Sequence, residues 1–112
     1  MQAKFIQLNT GALLPTISLG TWKSSRVEVG NALTCALKVG YRHLDCAHIY
    51  GNEGEIGKAL TAVFGTGTLK RNDIFVTSKL WLNFFHPDDV LGACQTTLKN
   101  LELDCLDLYL VT

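Results

Sequence analysis

A parallel β/α fold with a leading hairpin is the architecture this sequence predicts, and three observations carry it. Short extended apolar runs alternate with helical patterns from Ile17 to Val111. The residues closing those runs, Thr21, Asp45, Lys79 and Thr112, recur at intervals of 24, 34 and 33 residues, about one βα unit each. Ahead of the first run, the stretches 5–8 and 13–15 flank the turn sequence Asn9-Thr10-Gly11-Ala12, as a hairpin requires. Strand and helix in alternation make a parallel sheet with right-handed crossovers.

The elements follow in order. After the hairpin, Ile17-Ser18-Leu19-Gly20-Thr21-Trp22 reads as the first parallel strand. A helix over 27–39 comes next, with Ala32, Leu33, Ala36 and Leu37 on its apolar face. Residues 41–45 form the second strand. Asn52-Glu53-Gly54-Glu55 then opens the second helix in the manner of a capping box, with Ile56, Ala59, Leu60 and Val63 as its stripe. Residues 74–79 are the third strand. Pro87-Asp88-Asp89 opens the third helix, since proline suits the first turn and the dipole favours acids there. Its stripe is Val90, Ala93, Cys94, Thr97, Leu98 and Leu101, and residues 106–111 form the fourth strand.

A chain of 112 residues makes one domain, 1–112, with a modest core. Its 47% apolar and 18% charged residues exclude global disorder. Ten basic residues balance ten acidic ones, which argues against a nucleic-acid or membrane-surface partner. The apolar stretches are too short to span a membrane, and residues 1–10 lack a signal-peptide core. Cys35, Cys46, Cys94 and Cys105 show no C-x-x-C spacing and read as core thiols of a reduced, cytoplasmic protein. His43, His48 and His86 have no ligand-like spacing either, so no metal is expected, and His43 reads as a packed strand histidine.

The chemistry stands at the strand ends. In a parallel barrel these ends share one rim, where barrel enzymes keep their reactive groups. Asp45 and Lys79 should face each other there, with Tyr50 in the loop above. A tyrosine hydroxyl has an ordinary pKa of about 10, and a lysine ammonium in hydrogen-bond reach favours its phenolate. A carboxylate at Asp45 would keep Lys79 charged. Such a tyrosine can protonate a carbonyl oxygen as hydride reaches the carbon. No side chain supplies hydride, so this chemistry requires a nicotinamide cofactor. The competing reading is an ordinary ion pair beside a tyrosine. A Ser78–Lys79 nucleophile pair is disfavoured because neighbouring strand residues point to opposite faces.

The motifs themselves carry a resemblance. Gly40-Tyr41-Arg42-His43-Leu44-Asp45-Cys46-Ala47, followed by Tyr50, Asn52, Glu53 and Glu55-Ile56-Gly57, resembles the first signature of the aldo-keto reductases. So do Gly20-Thr21-Trp22-Lys23, Phe75-Val76-Thr77-Ser78-Lys79-Leu80-Trp81 and Leu106-Asp107-Leu108-Tyr109-Leu110-Val111, and the likeness runs along essentially the whole chain. Ile49-Tyr50-Gly51-Asn52-Glu53 and His86-Pro87-Asp88-Asp89-Val90 are similar to the NADP-dependent aldehyde reductases (alcohol dehydrogenases, NADP+), and next to the aldose reductases. The resemblance implies the N-terminal half of a (β/α)8 TIM barrel that reduces aldehydes and ketones to alcohols with NADP(H). It implies Tyr50 as proton donor with Lys79 and Asp45 as its catalytic partners. It assigns Gly20, Thr21, Trp22, Lys23 and Asp45 to the cofactor, and Trp22, Tyr50, Trp81 and Thr112 to a small carbonyl substrate.

Two departures accompany the likeness. The family places a histidine directly after the fourth strand, where this chain has Thr112, a shorter hydrogen-bond donor. A complete barrel also needs about 250 residues, and the family's late phosphate- and adenine-binding loops have no counterpart in this sequence. Neither Gly65-Thr66-Gly67 nor Gly51, Gly54 and Gly57 makes a phosphate loop. The alternative to an enzyme is therefore an aldo-keto-like module, truncated or without activity of its own. The complete family form is expected to be a monomer. Open edges on the first and fourth strands are a route to self-association of the short chain.

Overall fold

The computed structural model describes residues 4–111, so Thr112, singled out above, lies outside the described residues. Strands β1 (Phe5–Gln7) and β2 (Leu13–Pro15) pair antiparallel as the expected hairpin. There follow β3 (Leu19–Gly20), α1 (Val29–Lys38), β4 (His43–Asp45), α2 (Glu53–Gly65), β5 (Phe75–Leu80), α3 (Pro87–Leu101) and β6 (Leu108–Val111). Short 3₁₀ turns at His48–Tyr50, Arg71–Asp73 and Leu82–Phe84 join them. The second sheet is wholly parallel in the order β3-β4-β5-β6. It is a partial β/α barrel: strands run through one arc, each separated from the next by a helix.

Alternation along the strands sorts residues between two faces. Leu44 on β4 and Val76 on β5 point outward to the helices. They join Val29, Leu33 and Leu37 of α1, Ile56 and Leu60 of α2 and Leu101 of α3 in one buried cluster. The inner face carries the polar set: His43, Asp45, Thr77 and Lys79. In β5, five of six residues are buried and Lys79 is half-buried, as expected for a central strand covered on both sides. The register places Asp45 opposite Thr77, and Lys79 opposite Leu110.

His43 is the packed histidine the sequence suggests. Its Nδ1 lies 3.0 Å from the Pro15 carbonyl and its Nε2 2.7 Å from Thr77 Oγ1, which pins the hairpin against the sheet. At the same lower end, the Asp107 carboxylate accepts from Arg71 at 2.7 Å and from the Val76 amide at 2.8 Å. Helices α2 and α3 meet at Gly57, where a Cβ would stand 2.3 Å from the Asn100 carbonyl oxygen.

Three local expectations are corrected. Asn52 does stand before α2, but its side chain caps nothing there. It instead donates to the Thr21 and Ser24 carbonyls at 2.9 and 3.1 Å, so no capping box forms. Cys46 is buried and Cys94 half-buried, but Cys35 and Cys105 are exposed, because α1 turns Cys35 away from its buried face and Cys105 lies in the loop before β6. Helix α1 begins at Val29 rather than Val27, and Val27 and Ala32 are exposed.

Candidate active site

The upper rim of the sheet gathers three of the sequence-predicted residues. Asp45 closes β4, Lys79 is the penultimate residue of β5, and Tyr50 ends the 3₁₀ turn between them. Lys79 Nζ lies 2.5 Å from Asp45 Oδ1, 3.1 Å from the Cys46 carbonyl and 3.2 Å from Tyr50 Oη. An ammonium has three N–H donors and no acceptor, so these contacts use all three. Two consequences follow. Lys79 has no donor left for a ligand, and the Tyr50 oxygen must be the acceptor in their contact. The phenolic proton of Tyr50 is thereby left to point away from Lys79.

The electrostatics agree with that arrangement. Burial pulls the Lys79 ammonium down, but the hydrogen bonds to Asp45 and Tyr50, reinforced by their charges, more than offset it and raise its pKa above the usual lysine value. Lys79 is thus held protonated. Burial first, then the charges of Glu53 and Asp45, pushes the neighbouring Cys46 thiol up, so it stays protonated and unreactive.

The remaining predicted residues lie along the same rim with different degrees of engagement. Gly20 pairs with Asp45 in the ladder, and a Cβ built there would meet nothing within 4 Å. Thr21 is buried and its hydroxyl donates to the Asp45 carbonyl at 2.8 Å, tying β3 to β4. Trp22 is 67% exposed, and the Lys23 ammonium stands 4.5 Å from its ring centroid. Lys23 holds a φ of 60°, the left-handed region that non-glycine residues seldom enter. Trp81 follows β5 by one residue and opens the 3₁₀ turn Leu82–Phe84, half-buried. Arg26, on the same loop as Lys23, spends its Nε on the Gly51 carbonyl at 3.0 Å.

For a ligand with a flat ring and an anionic tail, the loop after β3 offers an exposed indole with a cation upon it. The ring end fits these residues. Among the described residues, no group of three His, Cys, Asp or Glu is placed to hold a metal ion.

Sequence reasoning missed a second layer beneath the rim. Glu53 is buried at the start of α2; its Oε2 accepts from Ser78 Oγ at 2.8 Å and its Oε1 from Thr97 Oγ1 at 3.1 Å. Ser78 is fully buried on the face opposite Lys79, as strand alternation requires, and is no nucleophile. The available signal was Glu53 itself, a charged residue placed three positions before the apolar stripe residue Ile56 and one turn after Tyr50.

Comparison with known proteins bears on the whole chain. Residues 16–112 match the model of the Aldo/keto reductase family. An aldo/keto reductase of Synechocystis sp. is 55% identical over 108 residues, covering 96% of this chain and 33% of that protein. Aldo-keto reductase family 1 member A1 of Bos taurus is 54% identical over 112 residues, covering 99% of this chain and 34% of its own length. The chain therefore spans about a third of the length of the curated relatives it matches. Among solved structures, the aldose reductase of Schistosoma japonicum superposes with a TM-score of 0.92 at 54% identity, over 99% of this chain and 36% of that one. A Bombyx mori aldo-keto reductase in complex with NADP gives 0.94 at 39% identity, over 99% and 38%.

Proposed function

The chain belongs to the aldo/keto reductase family, and from that premise we propose that it supplies the proton-transfer half of an NADP(H)-dependent reduction of aldehydes and ketones. The observation that carries the reading is the saturated ammonium of Lys79, held between Asp45 and Tyr50. When bound, NADPH supplies the hydride. Trp22 would flank its nicotinamide end, with Gly20 leaving the strand end open and Lys23 the cation for its phosphates. The NADP complex of the Bombyx mori relative supports that cofactor.

The steps belonging to this chain are proton steps. The carbonyl oxygen of a small substrate sits against the Tyr50 hydroxyl, which gives up its proton as negative charge builds on that oxygen. Lys79 stabilises the resulting phenolate by the contact already made, with no reorganisation at that moment. Asp45 keeps Lys79 charged throughout. In the reverse direction the phenolate removes the alcohol proton. Trp22 and Trp81 form apolar walls for the substrate, and in the sequence Thr112 takes the position at which the family has a histidine. The four unpaired cysteines support a reducing, cytoplasmic setting.

The test joins residues 1–112 to the part of the Bos taurus relative beyond its matched segment and follows NADPH oxidation with 4-nitrobenzaldehyde. Turnover should fall at least about 100-fold in Tyr50→Phe, with NADPH fluorescence quenching kept. A Tyr50→Phe form within a few-fold of its parent sinks the assignment. The isolated chain should not turn over, because remote binding energy positions the hydride donor, and of its two loop cations only Lys23 is left for the phosphates, Arg26 being spent on Gly51.

A further inference from the structure

Glu53 is the one buried acid among the described residues. No described Lys, Arg or His nitrogen pairs with it; both its oxygens are met by neutral hydroxyls. Burial raises its carboxyl above the ordinary value. The Ser78 and Thr97 hydroxyls, with the more distant charges of His48 and Lys79, offset only part of that. A buried carboxylate without a counter-ion is a costly way to fill space, so its location is the question.

That location joins the two segments bearing the proton machinery. Glu53 lies three residues after Tyr50, and Ser78 is the peptide neighbour of Lys79. On the inner face of β5, Lys79 Nζ meets Tyr50 Oη at 3.2 Å. On the outer face, Ser78 Oγ meets Glu53 Oε2 at 2.8 Å. One strand and one loop are thus riveted twice, from opposite sides of the sheet. Thr97 of α3 holds the other carboxylate oxygen, which prevents the group from turning away. Asn52, next in sequence, fastens the same loop to the Thr21 and Ser24 carbonyls on the other flank.

We infer that Glu53 is a positioning residue that, through Ser78, sets the separation between Tyr50 and Lys79. The inference rests on the proposed partnership of those two residues and adds to it a control point outside the substrate's reach.

The test is a pH titration of the chain labelled at tyrosine 13Cζ, with Tyr50 assigned by Tyr50→Phe and Tyr41 as internal reference. Lys79→Met sets the scale by removing the contact. Glu53→Gln separates two mechanisms by sign: removing a negative charge alone eases phenolate formation and lowers the Tyr50 midpoint, whereas loosening the Lys79 contact raises it. Ser78→Ala breaks the same rivet with no change of charge. Expected is a rise of about half a pH unit or more for both Glu53→Gln and Ser78→Ala, below that for Lys79→Met, with Tyr41 unmoved. A fall in Glu53→Gln, or an unmoved midpoint in Ser78→Ala while Lys79→Met raises it, overturns the inference alone. An unmoved midpoint in Lys79→Met overturns the Tyr50–Lys79 reading and this inference with it. Should Glu53→Gln not fold, Ser78→Ala decides.

Discussion

Replacing Gly57 with alanine adds one carbon at the tightest approach of α2 to α3. That carbon would sit 2.3 Å from the Asn100 oxygen, 2.8 Å from the Leu101 carbonyl carbon and 2.9 Å from the Leu101 Cα. All three are backbone atoms, so no side chain can swing aside. Restoring ordinary contact demands a retreat of about 1 Å, and a gap of that size forfeits a quarter to a half of each dispersion contact it opens. The contacts at stake belong to Ile56, Leu60 and Leu101, all fully buried. Overpacking of this kind costs about 1–3 kcal/mol, and alanine returns about 1 kcal/mol of helix propensity, leaving a net loss of about 1 kcal/mol at the middle of that range. Gly30 in α1 is the matched control. A Cβ there meets only Ala59 Cβ at 3.7 Å, an ordinary contact, so Gly30→Ala should gain up to about 1 kcal/mol. Urea unfolding followed by far-ultraviolet circular dichroism measures both. Gly57→Ala as stable as the parent chain, or more stable than Gly30→Ala, would refute the packing argument.

Other perturbations test other parts of the molecule. Asp107→Ala should lose about 1–3 kcal/mol in the same unfolding assay, because it strands the buried Val76 amide and removes the anionic partner of Arg71, which keeps only the Ile74 and Cys105 carbonyls; a loss under half of that would show that water replaces the carboxylate. Glu53 has a raised folded pKa, so its contribution is fully present below the unfolded value of about 4.3 and is lost as pH rises through the folded one. Relative to the parent, Glu53→Gln should therefore gain stability from pH 4 to pH 8, and a difference independent of pH would contradict that sign. In native buffer, 5,5′-dithiobis(2-nitrobenzoate) should label the exposed Cys35 and Cys105 quickly, Cys94 slowly, and Cys46 only on unfolding.

The legible parts of the structure were those written in local pattern. Helix faces and strand runs follow periodicity, and the interval from Asp45 to Lys79 put both on one rim because a βα unit has a nearly fixed length. Element ends were less legible. Residues 17 and 18 continue the extended run in the sequence, yet the ladder to β4 begins only at Leu19, opposite Leu44. Asn52 has the composition of a cap, but its Nδ2 is held by two carbonyls of a distant loop, and in that pose its Oδ1 accepts from no helix N–H. The Glu53–Ser78–Thr97 layer joins residues 25 and 44 positions apart, and no short-range rule pairs an acid with two hydroxyls across such distances. Lone residue types suggest an ion pair; the tertiary fold decides that here a buried carboxyl is met by two hydroxyls instead.

The parallel register carries a consequence for which amine can serve at position 79. Asp45 stands level with Thr77, not with Lys79, so the ammonium must reach back along the strand by two residues, about 6.6 Å, as well as across to β4. Only a long, unbranched side chain closes that diagonal. The stagger between neighbouring strands thus acts as a ruler: it excludes a shorter amine by geometry before any question of charge arises. An arginine would span the gap but bring a flat, five-donor fork to a place built for a point charge. The choice of lysine is in this sense a property of how the sheet is sheared, and a barrel cut to another shear would need a different residue there.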